Sequence, residues 1–203
     1  MKFLQRLGIL CVTTLVVASC ASTLPRGTEV RIPPERISQK GYSVLPLNEE
    51  GWVITRRNSY QLVLGKYGKN PDETFALWAV LFMLPEFNTN EELARITKER
   101  QAHVTDPQRF TTIKNEVTVY PRDGVECVKS HTLHVEHAAK KRTGKARDMN
   151  FETLNLICAH PRDKGVGVSV AYSHRSYPEF PDPTFLEKAT SILDSVQIID
   201  ELP

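Results

Sequence analysis

The apolar positions of this 203-residue chain fall into three textures. Residues 7–17, Leu-Gly-Ile-Leu-Cys-Val-Thr-Thr-Leu-Val-Val, form one nearly unbroken run behind Lys2 and Arg6. Residues 21–40 carry three prolines, scattered charges and no sustained period, the pattern of a tether. From Gly41 onward short apolar stretches alternate with turn residues, as strands do. Gly51-Trp52-Val53-Ile54-Thr55 and Tyr60-Gln61-Leu62-Val63-Leu64 read as strands, and the turn-rich residues 65–72 predict a hairpin into residues 75–84. That next run is apolar on both alternating faces until Pro85. It fits a central strand or a buried helix, and the hairpin chemistry before it favours the strand.

Helical spacing enters at two places. Thr89-Asn90-Glu91-Glu92 is a capping box, and Leu93, Ile96, Arg100 and Val104 follow at helical intervals, which predicts an amphipathic helix over residues 90–104. Strands are expected near residues 113–120, 125–136, 151–159 and 166–174. The last alternates plainly, with Val166, Val168, Val170 and Tyr172 on one face and Gly167, Ser169, Ala171 and Ser173 on the other. Asp182 as N-cap and Pro183 as first helical residue open a final helix striped by Phe185, Ala189, Ile192 and Leu193, before a short strand at residues 195–199. The order predicts one α+β domain over residues 41–203, an antiparallel sheet with two principal helices.

The order of elements over residues 41–199, with Gly51-Trp52 early and Tyr172-Ser173-His174-Arg175 before a helix containing Ile192-Leu193-Asp194-Ser195, resembles the PsbP-like sandwich. That fold occurs in photosystem accessory proteins, a nuclear-transport factor and many bacterial lipoproteins. The resemblance implies a small accessory or binding domain, and it implies no catalytic motif.

The start of the chain is an address. Its apolar run is too short to cross a bilayer, which takes about 20 apolar residues, so residues 1–19 read as an export signal. Val17-Ala18-Ser19-Cys20 resembles the bacterial lipobox. The resemblance implies a diacylglycerol thioether on Cys20, cleavage before it, and a fatty acyl group on the new amino end. Residues 20–40 would then be a lipidated tether. Ordinary secretory cleavage, leaving Cys20 a bare thiol, is the alternative. Ala21, where an inner-membrane-retaining Asp would stand, implies the outer membrane of a two-membraned cell, with the domain on the periplasmic face.

Removing the signal leaves 24 basic and 24 acidic side chains. A neutral balance argues against nucleic acid, whose phosphates require a basic face. Cys127 and Cys158 flank the polar turn at residues 140–148, and an exported compartment favours pairing them. Direct opposition needs a hairpin centred between Arg142 and Thr143; a slip would leave two buried thiols. His131, His134 and His137 suggest a metal, but strand alternation sends His134 away from the other two. Structural sheet histidines are the plainer reading. Gly167-Val168-Ser169-Val170-Ala171 approaches a nucleophile elbow, yet Ser169 lies inside an alternating strand rather than at a strand-to-helix turn. No phosphate loop, zinc-protease pair or calcium loop occurs in the sequence, so no cofactor is implied.

Lys140, Lys141, Arg142, Lys145 and Arg147 gather at the hairpin tip. They read either as a solvated turn that guards a strand edge or as a contact for anionic lipid, glycan or an acidic envelope protein. The expected function is therefore a membrane-anchored, non-catalytic accessory or binding domain of the cell envelope. The alternative is a metal-binding or hydrolytic envelope protein using the histidines or Ser169.

Overall fold

Alternation that buries both faces needs cover on both sides, and the computed structural model supplies it. Residues 27–120, 122, 124–139, 143–144 and 147–202 are described, Val104 by its backbone alone. Among them the order is β1 (Thr28–Glu29), β2 (Ile37–Gln39), β3 (Tyr42–Val44), β4 (Val53–Arg57), β5 (Gln61–Tyr67), β6 (Thr74–Met83), α1 (Asn90–Val104), β7 (Phe110–Val119), β8 (Cys127–Ala139), β9 (Arg147–His160), β10 (Asp163–Ser176), α2 (Phe185–Ser195) and β11 (Gln197–Ile198). Eight strands form one antiparallel sheet, ordered β1-β4-β5-β6-β10-β9-β8-β7, and three form a second, ordered β11-β3-β2.

The small sheet and α2 share one face of the large sheet. There Trp52, Leu64, Leu77, Leu156, Val170 and Tyr172 pack with Tyr42 and Val44 of β3 and with Phe185, Ala189, Ile192 and Leu193 of α2. The Tyr42 hydroxyl donates to the Ala79 carbonyl at 2.9 Å, pinning the small sheet to β6. α1 lies on the other face, where Leu93 is buried with Leu84, Phe87, Val128 and Ile157. The run at residues 75–84 is thus a central strand, paired with β5 and β10. Its two apolar faces meet two different cores.

The expected sandwich with two principal helices is corrected. The large sheet carries most of the domain, with strands β8, β9 and β10 of 13, 14 and 14 residues, while the helices have only 15 and 11 residues. Two physical reasons account for the difference. Backbone pairing continues well past the apolar segments from which strand lengths were read, through polar residues that neighbours satisfy. The stretch taken as tether also contributes strands: β1 pairs with β4, β2 pairs with β3, and the Val30 N–H donates to the Trp52 carbonyl at 2.9 Å. Within that stretch Thr28–Glu29 and Ile37–Gln39 are thus strands of the two sheets. The signal and Cys20 lie outside the described residues.

Cys127 stands directly opposite Cys158 across β8 and β9, and their sulfurs form a disulfide of 2.09 Å. The pairing centre falls between Arg142 and Thr143, and a bulge between Glu136 and Ala139 shifts the register only near the tip. The crosslink closes a loop of 31 residues. By loop-closure entropy it should stabilise the domain by about 2 to 4 kcal/mol. Mass spectrometry of the alkylated, non-reduced protein should show both cysteines unmodified, and the Cys127→Ala, Cys158→Ala double variant should unfold at correspondingly lower urea. Two alkylated thiols would contradict the bond.

Candidate functional site

The capping box sets where α1 begins. Thr89 Oγ1 accepts from the Glu92 N–H at 3.2 Å, and Glu92 Oε2 accepts from the Asn88 N–H at 3.0 Å. From there the helix lies over β7 and β8, and one side of it faces the neighbouring strands β9, β10 and β6. β10 offers only a small side chain, Ser169, between Val80 of β6 and Ile157 of β9, its direct register partners. A hollow results, walled by Trp78, Val80 and Phe82 on one side and Asn155 and Ile157 on the other. Ile96, Thr97, Arg100 and Gln101 roof it, and the cleft measures about 250 Å³. Gly167 admits one wall: a Cβ there would stand 2.5 Å from the Phe82 ring.

Polar groups are few and mostly satisfied. The Ser169 hydroxyl donates to Asn155 Oδ1 at 3.0 Å, with both residues buried. Gln101 Nε2 donates to Ser130 Oγ at 2.8 Å, while Gln101 Oε1 is buried without a hydrogen-bond partner among the described residues. Arg100 is exposed, its guanidinium 5.5 Å from the Phe82 ring centre, and it donates to the Met83 carbonyl at 3.4 Å. Such a cleft can hold an apolar group; it holds no nucleophile beside a base.

A second recess, about 540 Å³, opens on the opposite face beside the start of α2. Its charges answer one another. Lys66 Nζ lies 2.7 Å from Glu49 Oε2, and Lys188 Nζ lies 3.2 Å from Asp182 Oδ2 and 3.5 Å from Glu49 Oε1. Burial works against the Lys188 charge, but the Asp182 and Glu49 carboxylates outweigh it and hold the ammonium above the ordinary lysine range. Burial likewise opposes ionisation of Asp182, and the Thr184 hydroxyl and N–H together with Lys188 hold its carboxyl below the ordinary range. Behind them His174 is buried, stacked on Phe75 with centres 4.4 Å apart, its Nε2 2.8 Å from Glu73 Oε1.

The three histidines do not meet. His131 Nε2 lies 2.7 Å from Glu152 Oε1, His134 Nδ1 lies 3.1 Å from Thr112 Oγ1, and His137 lies between Thr111 Oγ1 at 2.8 Å and Asp148 Oδ2 at 3.0 Å. Burial lowers the pKa of His134. Among the described residues no three His, Cys, Asp or Glu side chains gather as a metal site would require. Ser169 sits inside β10, bonded to Asn155, with no helix following at once.

Of the basic tip, Lys140, Lys141, Arg142 and Lys145 lie outside the described residues. Arg147 is engaged: it pairs with Glu179 and lies 4.5 Å over the Tyr177 ring. Thr143 folds back on the domain, its N–H and hydroxyl donating to Asp72 at 3.1 and 2.7 Å, and the Tyr177 hydroxyl donates to the same carboxylate at 2.6 Å. That bond, aided by burial, raises the pKa of Tyr177. Nothing in the residue types marked Asp72 as a latch, since its partners come from 71 and 105 positions away. The cleft was equally hidden, although its hollow floor is the small-residue face already visible in β10.

No family model matches the chain, and no curated protein does. Among solved structures it is similar to a mutant of the protein Mog1, with 11% identity and a TM-score of 0.49 over 82% of this chain and 96% of that one.

Two measurements test these networks. Asp72→Ala leaves buried donors unmatched and should cost about 2 to 4 kcal/mol in urea unfolding while speeding amide exchange at Thr143; unchanged exchange would mean the tip is held by other contacts. Asp182, with its folded pKa depressed, contributes stability that is complete above the unfolded carboxylate range and is lost as pH falls through the folded value. Asp182→Asn should therefore flatten the acid side of a plot of Tm against pH.

Proposed function

We propose that this chain is a lipid-anchored protein of the bacterial cell envelope whose domain acts by binding, with the cleft under α1 as its site. One observation carries the reading: an apolar hollow roofed by a helix, with a polar floor that is internally bonded. Apolar concavities with a few placed polar groups are what small-group binding uses. The anchor rests on Val17-Ala18-Ser19-Cys20. Several acyl chains, each methylene stabilising by about 0.8 kcal/mol, would keep the domain on its membrane where a single chain exchanges. Ala21 favours the outer membrane, and Lys140, Lys141, Arg142 and Lys145 are a second candidate contact, read from the sequence, for anionic lipid, glycan or an envelope protein. The rival, metal-binding or hydrolytic reading would need His131, His134 and His137 to converge, and each bonds a different partner.

Both halves are testable separately. Cys20→Ala should abolish fatty-acid labelling and release the protein from membranes; persistent labelling would remove the anchor. Val80→Trp should fill the cleft and abolish the heat of binding of octan-1-ol in calorimetry while the far-ultraviolet circular dichroism stays native. Unchanged octan-1-ol binding in that variant would remove the cleft as the site.

A further inference from the structure

We infer that the α1 cleft takes a single-chain carboxylate amphiphile, with its hydrocarbon beneath the helix and its carboxylate at Arg100. The inference rests on the cleft being the binding site and adds the class of ligand. The walls decide the hydrocarbon part. Val80, Phe82, Ile96 and Ile157 are apolar, and the polar groups of the floor, Ser169 and Asn155, already satisfy one another at 3.0 Å. The unpaired acceptor there, Gln101 Oε1, can serve a donor but repels a carboxylate, so the inner end favours the hydrocarbon of an anionic amphiphile over its head. An apolar cavity of about 150 Å³ accepts benzene, so a cleft of about 250 Å³ has room for a medium alkyl chain.

Arg100 decides the head group. Other arginines of this face are spoken for: Arg95 pairs with Glu92 and Glu99, and both Arg109 and Arg175 pair with the buried Glu136. Arg100 makes no ion pair among the described residues. It is held at the cleft all the same, by the Phe82 ring 5.5 Å away and by the Met83 carbonyl. A guanidinium has five N–H donors in a planar fork, and a carboxylate matches that fork with two oxygens. The cleft thus offers an apolar slot with an uncompensated cation fixed at its mouth.

Octanoate and octan-1-ol share a chain and differ in charge, so calorimetric titration of both separates head from tail. In the full chain carrying Cys20→Ala, both should bind, octanoate about fivefold more tightly at low salt, which is what an exposed charge contact of about 1 kcal/mol supplies. Arg100→Gln should remove that advantage and leave octan-1-ol unchanged, Arg100→Lys should restore part of it, and added salt should erode it. Equal affinity for the two ligands in the unsubstituted protein, or an octanoate advantage that survives Arg100→Gln, would overturn the carboxylate assignment while leaving the cleft as the site. Failure of both ligands to bind would overturn the site and the ligand class together.

Discussion

Paired along both edges and covered on both faces, β10 sends Val168, Val170 and Tyr172 into one core and Ser169, Ala171 and Ser173 into the other. The strict period of two makes this division unavoidable: a slip of one residue would exchange the faces. Large side chains on one side meet α2 and the small sheet, and fill the space between them. On the other side α1 rests on β7 and β8, and the small side chains of β10 beside it leave the cleft open. The firm core and the hollow cleft are two results of one alternation.

Buried charge follows a related logic at the far end of the strands. Glu136, 4% exposed at its side chain, is met by Arg109 and Arg175, and Asp72 is met by Tyr177 and Thr143. Removing a charge from water is costly unless each oxygen finds a donor, and both carboxylates are met by donors from segments distant in sequence. One of them also reaches the basic turn. Its Thr143 is bonded down onto the β5–β6 turn through Asp72.

Local chemistry was legible where a few neighbouring residues decide the outcome. The box at Thr89 and Glu92 starts α1, and the alternation of residues 166–174 specifies β10 and its two faces. Counting along a hairpin put Cys127 and Cys158 on one face and named the centre that direct opposition requires, and the structure pairs them directly. Elsewhere distant partners decided. Asp182 was read as an N-cap followed by Pro183, yet its side chain accepts from the Thr184 N–H and hydroxyl and the helix begins at Phe185, one short turn later. Residues 28–39 have the proline-rich texture of a tether, yet Thr28–Glu29 pairs with β4 and Ile37–Gln39 with β3, partners that the local pattern does not name. The number and length of strands, and so the balance between sheet and helix, depended on such pairings.

The clip of β1 onto β4 has a mechanical consequence. With a lipid on Cys20, the chain between anchor and domain would run only from Cys20 to Thr28, and at about 3.4 Å per residue its reach is about 27 Å. The domain would then work close above the bilayer. β1 joins the sheet through two residue pairs at its outer edge, Thr28 with Ile54 and Glu29 with Val53. A load on the anchor would meet this short edge before it reached the long central strands, so β1 would peel first and lengthen the leash, acting as a fuse that spares the fold.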